Sequence, residues 1–247
     1  MIGRVRLRVA ALDRARSYYA HVIGLRQLDG SLGADAPLVE LIGDPEAPPA
    51  PPGTTGLFHL ALLVPDRPSL ARAVQRVISA GERFVGASDH FVSEALYLRD
   101  PEGNGIEIYR DRPRSEWEHE PSGELRMGTV PLDVDAVMAE LPGGPDPGMP
   151  DRTVVGHVHL HVADLAAAEA FYAGDLGLDV TVRSYPGALF LSRCGYHHHI
   201  GLNTWQGEGA PAPPPGSRGL EDFELVLPDG PEGRFEDPSG NRVVVVR

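Results

Sequence analysis

Val158, Leu160 and Val162 alternate with His157, His159 and His161, the period of two expected of a strand with one buried face. The same strand is written near the start of the chain. There GRVRLRV (3–9) matches GHVHLHV (156–162), with three arginines in place of three histidines. Both copies run on in register, VAALDRARSYYAHVIGL (9–25) against VADLAAAEAFYAGDLGL (162–178). In the later copy Asp164 stands where a helix N-cap belongs, ahead of an Ala-rich stretch closed by Gly177. Two more segments pair in the same way: GLFHLALLVPD (56–66) with GLEDFELVLPD (219–229), and DPEGNGIEIY (100–109) with DPSGNRVVVV (237–246). A repeat of this kind fixes the organisation before any residue is given a role. It divides the chain into modules at 1–43, 56–112, 152–206 and 219–247.

Inside a module the periodicity switches. In the second, the opening strand is followed by a helix over 69–81, strands around 84–86, 95–98 and 105–109, and a turn at PEGNG. Each module therefore reads as β-α-β-β-β. The last is truncated: 34 positions separate Asp66 from Asp100, but 8 separate Asp229 from Asp237, which predicts loss of the helix and the middle strands. The joints at 44–56 and 206–219 are rich in Pro and Gly and read as extended linkers. Residues 113–151 form a longer linker with a short helical pattern at 133–141.

Composition narrows the function classes. A net charge of −13 argues against a nucleic-acid partner, which requires a basic footprint. Lysine is absent, so all basic charge is arginine, and the single cysteine, Cys194, excludes an internal disulfide and a cysteine-based zinc site. No apolar run is long enough to span a bilayer, and the N-terminus enters a strand pattern at once, so a cytoplasmic protein without a signal peptide is expected.

The opening strands share one comparable inward position, occupied by Arg4, His59, His157 and Asp222 in chain order. The closing strands offer a second: Glu40 in the first module, Glu107 in the second and Val244 in the fourth. The third module ends in YHHHIGLNTW (196–205), where alternation turns Ile200 and Leu202 outward, toward the helix. His197, His199 and Gly201 then face inward, and His199 is the best match. A lone histidine on a strand is more often a packed, hydrogen-bonded residue than a ligand. Two at homologous slots, with a glutamate on an otherwise apolar strand, favour a shared cation, because an unpaired buried carboxylate is costly.

The starts HVHLHVAD and HLALLVPD and the closing DPEGNGIEIY resemble the vicinal oxygen chelate superfamily of glyoxalase I, bleomycin-resistance proteins and extradiol ring-cleaving dioxygenases. Within it the chain is most similar to two-domain catechol-2,3-dioxygenase-like proteins, through SDHFVSEALYLRDPEGNGIEIY and YHHHIGLNTW. The resemblance implies an α+β fold in which the βαβββ modules form two curled mixed sheets with helices outside. Pairing modules 1 and 2 would put a guanidinium among the ligands, and pairing 3 and 4 would use the truncated module. Pairing 2 with 3 unites His59, Glu107 and His157, the two-imidazole, one-carboxylate set suited to Fe(II); Mn(II) and Zn(II) are alternatives. The resemblance further implies Tyr97, ten residues before Glu107, as an acid/base residue. His90, in the SDHFVSE loop, is expected to reach over the site as a proton shuttle, and His199 to be a further catalytic group or fourth ligand. Ser93 and Glu94 are weaker candidates. His159 and His161 are expected to line the inner wall, His197 and His198 to lie at a strand edge, and Asn203 and Trp205 to flank the pocket mouth. The implied activity is cleavage of a catechol-like aromatic with O₂, without nucleic acid or membrane. Homo-oligomerisation is left open by the shortened fourth module. The alternatives are an isomerase, lyase or transferase of the glyoxalase or fosfomycin-resistance type, or a binding protein of the bleomycin-resistance type.

Overall fold

Each module begins with a strand whose apolar residues face one way, and the fold is built by laying those strands side by side. The computed structural model describes residues 1–247. The first module contributes β1 (Ile2–Val9), α1 (Leu12–Tyr18, continued by a wider π-type turn over Tyr19–Ile23), β2 (Arg26–Leu28), β3 (Ser31–Gly33) and β4 (Pro37–Gly43). The second contributes β5 (Gly56–Leu63), α2 (Arg67–Ser79), β6 (Gly86–Asp89), β7 (Ser93–Arg99) and β8 (Gly105–Asp111). The linker carries a two-residue strand, β9 (Val130–Pro131), and α3 (Val134–Met138). The third module contains β10 (Val154–His161), α4 (Leu165–Glu169, with a π-type turn over Ala170–Asp175), β11 (Asp179–Val182), β12 (Ala188–Ser192) and β13 (Ile200–Asn203). The fourth contains β14 (Gly219–Val226), β15 (Gly233–Glu236) and β16 (Arg242–Val246).

The helix starts follow from local chemistry. Asp66 and Asp164 cap α2 and α4, Asp66 accepting the Ser69 N–H and Asp164 those of Ala166 and Ala167. Two expectations need correction. The strand placed at 84–86 runs from Gly86 to Asp89, carried by small polar residues that a hydrophobic pattern does not reveal. The truncated module has lost its helix but keeps one middle strand, β15, antiparallel to β16. A hairpin needs only a short turn, so eight residues suffice for it.

Two mixed sheets result. One has the order β15-β16-β14-β1-β4-β3-β2 and joins modules 1 and 4; the other, β11-β12-β13-β10-β5-β8-β7-β6-β9, joins modules 2 and 3. At the centre of the second, β10 lies antiparallel to β5, with β13 and β8 parallel on either side. The apolar faces of both sheets and the helices merge into one core. Leu60, Ile106, Val158 and Leu202 of one sheet share it with Val5, Leu7 and Phe223 of the other and with Leu70 and Val74 of α2.

The DP-x-GN turns tie the sheets together. Asp100 accepts the Tyr19 hydroxyl at 3.2 Å, and Asp237 accepts the Tyr172 hydroxyl at 3.1 Å. Each bond runs from the helical segment of one sheet to the turn of the other, so the two latches repeat the internal symmetry of the sequence. No helix is long and apolar enough to cross a membrane.

Candidate metal centre and active site

The polar faces of the two sheets have diverged in chemistry. In the seven-stranded sheet the three arginines are consumed by acids. Arg4 pairs with Glu40 (3.2 Å) and Glu224 (2.9 Å), Arg6 with Asp222, and Arg8 with Asp44 (3.0 Å) and Glu221 (2.8 Å). A guanidinium offers no lone pair to a cation, so this face is closed by ion pairs.

In the nine-stranded sheet the same slots hold histidines, and three side chains converge. His59 Nε2 lies 2.9 Å from Glu107 Oε2, His157 Nε2 lies 3.1 Å from the same oxygen, and the two nitrogens are 3.3 Å apart. All three residues are buried, and together they form a group able to hold a metal ion. The spacing fits one: neighbouring ligands on an octahedron with bonds of about 2.1 Å stand about 3 Å apart. Protonation fits as well. Burial alone would raise the Glu107 carboxyl, but the two imidazoles facing it hold it well below the usual carboxylate range. Burial takes His157 down to about 4, outweighing the opposite pull of Glu107. A neutral imidazole beside an ionised carboxylate is the state a cation requires.

Two irregularities in the β5–β10 pairing aim these groups. His159 stands opposite His59 and Leu160 opposite Leu57, so Phe58 is an extra residue and both Phe58 and His59 face the cavity. The second irregularity lies at Gly156, between Val155 and His157. A Cβ there would meet the Tyr109 hydroxyl at 1.8 Å, so only glycine lets β10 pass beneath Tyr109.

The triad opens into a cavity of about 270 Å³ whose walls include Phe58, Tyr97, Met127, Tyr185, Phe190 and Trp205. Tyr97 stands opposite Glu107 on the neighbouring strand, and its hydroxyl is 2.6 Å from His90 Nε2. His90 Nδ1 lies 2.7 Å from the Gly128 carbonyl, which can only accept, so Nδ1 carries the proton and Tyr97 donates to Nε2. Burial, aided by the Glu107 charge, raises the Tyr97 hydroxyl well above its usual value. It therefore stays protonated at neutral pH.

Other expected site residues fall differently. Ser93 and His159 line the cavity. His161 is buried beside Asn203, its Nδ1 2.6 Å from Oδ1, and this contact holds Asn203 inside rather than at the mouth. Trp205, half exposed, does stand at the cavity. Glu94 points elsewhere and is the hub of an ion-pair cluster with Arg67, Arg110 and Arg112. His199 is outside the cavity lining; its Nδ1 is 3.0 Å from Ser192 Oγ and accepts the Arg193 N–H. His198 occupies the inner position instead, its ring centroid 4.1 Å from that of His157. The reason is local. Regular strand begins only at Ile200, and the turn before it places Cys194 and Gly195 at φ of 57° and 65°, so alternation cannot be carried back through the histidine run. His197 and His198 are likewise buried rather than lying at an edge. The linker's contribution, Met127, Gly128 and Thr129, has no periodicity that would reveal it.

Sheet order, module repeat and this donor set define a class. The chain belongs to the glyoxalase/bleomycin resistance protein/dioxygenase superfamily, whose family description matches residues 1–108. Among individual proteins it is 44% identical over 237 residues to catechol-2,3-dioxygenase of Bacillus subtilis (strain 168), covering 92% of this chain and 82% of that protein. Two solved structures share the fold. A putative dioxygenase from Bacillus subtilis subsp. subtilis str. 168 aligns with a TM-score of 0.65 at 13% identity, over 99% of this chain and 84% of the other. Glyoxalase I from Zea mays aligns at 0.60 and 17% identity, over 99% and 91%.

Proposed function

We propose that this protein is an extradiol ring-cleaving dioxygenase that opens a catechol-like aromatic with O₂, using a divalent metal, iron(II), held by His59, Glu107 and His157. The observation that carries this reading is the buried triad of two imidazoles and one carboxylate facing a cavity walled by aromatic side chains. The kinship with a catechol-2,3-dioxygenase over most of the chain supports it. A metal so held would leave adjacent positions open to a chelating diol and to O₂.

The chain's own residues supply the rest. Phe58, Phe190 and Trp205 give the ring flat apolar faces and exclude water from it. Tyr97, protonated and donating to His90 Nε2, can take a proton from a bound hydroxyl at its own oxygen as its own proton passes to His90, and return it by the reverse path. The cavity volume of about 270 Å³ lies just below the usual range of ligand pockets, about 300–1,000 Å³, which suits one ring rather than a large conjugate. A glyoxalase-type site with a fourth protein ligand is less well supported, because the grouped donors are three and His199 turns away.

The test is direct. Protein prepared anaerobically and loaded with Fe(II) should turn catechol and O₂ into the yellow ring-fission product. Bound iron with no colour from a panel of catechols would contradict the reading.

A further inference from the structure

Behind the cavity lies a chain of hydrogen bonds that the reaction outlined above does not use. His198 lines the cavity, and its Nδ1 is 2.7 Å from His197 Nδ1. His197 is fully buried between the rings of Tyr196 and Trp117, and its Nε2 is 2.9 Å from Asp111 Oδ1. The same oxygen accepts the Tyr196 hydroxyl at 3.2 Å, and Tyr196 in turn meets the Tyr109 hydroxyl at 2.8 Å. Asp111 closes β8 with its side chain 26% exposed, so the series runs from the cavity to the protein surface.

The direction of each bond follows from what the atoms can do. A carboxylate only accepts, so His197 Nε2 carries a proton. With one proton per ring, His197 Nδ1 is then a bare acceptor, and His198 must donate to it from Nδ1. That leaves His198 Nε2 unprotonated and without a partner in the protein. We propose that Asp111 and His197 are positioning residues that hold His198 as the Nδ1–H tautomer, with Nε2 presented to the cavity as an acceptor. The proton position two side chains away is thus dictated by Asp111, a residue outside the cavity lining. Such outer partners fix ring orientation and tautomer where a single histidine could adopt either form. The tautomer stands on geometry alone; its value to turnover rests on the dioxygenase reading above.

Long-range ¹H–¹⁵N correlation of the histidine rings in the metal-free full-length chain reads the tautomer without any activity. The wild type should show His198 protonated at Nδ1 and bare at Nε2. A His198 protonated at Nε2, or a His197 protonated at both nitrogens, overturns the proposal, and this spectrum needs no variant to fold. Asp111→Ala should let the Nε2–H form of His198 appear, whereas Asp111→Asn, which keeps an acceptor oxygen, should restore the wild-type pattern. In the iron-loaded protein kcat for catechol should fall about tenfold in Asp111→Ala, with KM within about twofold, and recover in Asp111→Asn. Unchanged kcat in Asp111→Ala with an altered tautomer refutes the positioning role. An inactive iron-loaded wild type refutes the dioxygenase reading, while the spectrum still decides the tautomer.

Discussion

At the scale of single residues, the exchange of arginine for histidine at three strand positions separates a closed face from a reactive one. Arg4 and His157 occupy matching slots, yet the first is neutralised by Glu40 and Glu224 while the second faces Glu107 across 3.1 Å. Tyr97 and His90 share a 2.6 Å hydrogen bond at the cavity wall. Replacing Tyr97 with Phe removes the donor to His90 while preserving the ring against His59. Turnover should fall about a hundredfold, with iron content unchanged. Steady-state rates beside metal analysis check this, and equal loss of iron would show a binding role instead. Much of the site was legible at this scale, because His59, His157, Glu107 and Tyr97 stand at fixed offsets within repeated modules. His198 was not legible: it sits in a run of three histidines where regular strand has not begun, and no alternation decides which of the three points inward.

Among elements, the pairing of β5 with β10 matters most, because it brings the first strands of two modules side by side. Its two irregularities place Phe58 with His59 on the cavity side and pass Gly156 under Tyr109. Gly156→Ala should destabilise the protein by about 2 kcal/mol or more, since the new methyl meets the Tyr109 hydroxyl and the backbone must move. Adding Tyr109→Phe should recover part of that loss. Urea unfolding midpoints of the two single variants and the double variant test this, and a Gly156→Ala protein as stable as wild type would show the strand is free to shift. Bulges leave only a faint trace in a hydrophobic pattern, since one extra residue shifts the period without breaking it. The pattern therefore located β5 and β10 but gave no sign that Phe58 turns inward beside His59. The linker's wall residues, Met127 to Thr129, escaped for a different reason: Gly128 and Thr129 are held by His90 rather than by any regular element.

For the whole molecule, the seam between modules 1 and 2 is sealed by the linker. Arg76 of α2 donates to the Ile23 carbonyl at 2.7 Å and grips both oxygens of Asp146 at 2.6 and 2.8 Å. Burial would raise the Asp146 carboxyl, but Arg76 outweighs it and holds the group below its usual value. The lowered value fixes the sign: the contribution of Asp146 is present above about pH 3.9, the unfolded value, and is lost as pH falls through the folded one. Asp146→Asn should therefore cost about 1–2 kcal/mol near neutral pH, allowing for partial exposure, and the gap from wild type should close in acid. Thermal or urea unfolding across pH measures it, and a gap that does not narrow as the pH falls below about 3.9 would contradict the assignment. The repeat made the four-module plan legible, and the choice among module pairings followed from which one avoided both a guanidinium ligand and the truncated module. The latches of Tyr19 on Asp100 and Tyr172 on Asp237 were not legible, because helix and turn lie far apart in the chain and meet only when the sheets do.

The central claim is that two imidazoles and one carboxylate from the two middle modules share a single iron ion. Anaerobic Fe(II) binding by the wild type and by His59→Ala, Glu107→Ala and His157→Ala, each checked for folding by circular dichroism, tests it most directly. We expect one iron per wild-type chain and at least a tenfold loss of affinity in every variant. Full iron content in any one of the three, with the fold intact, would contradict the account.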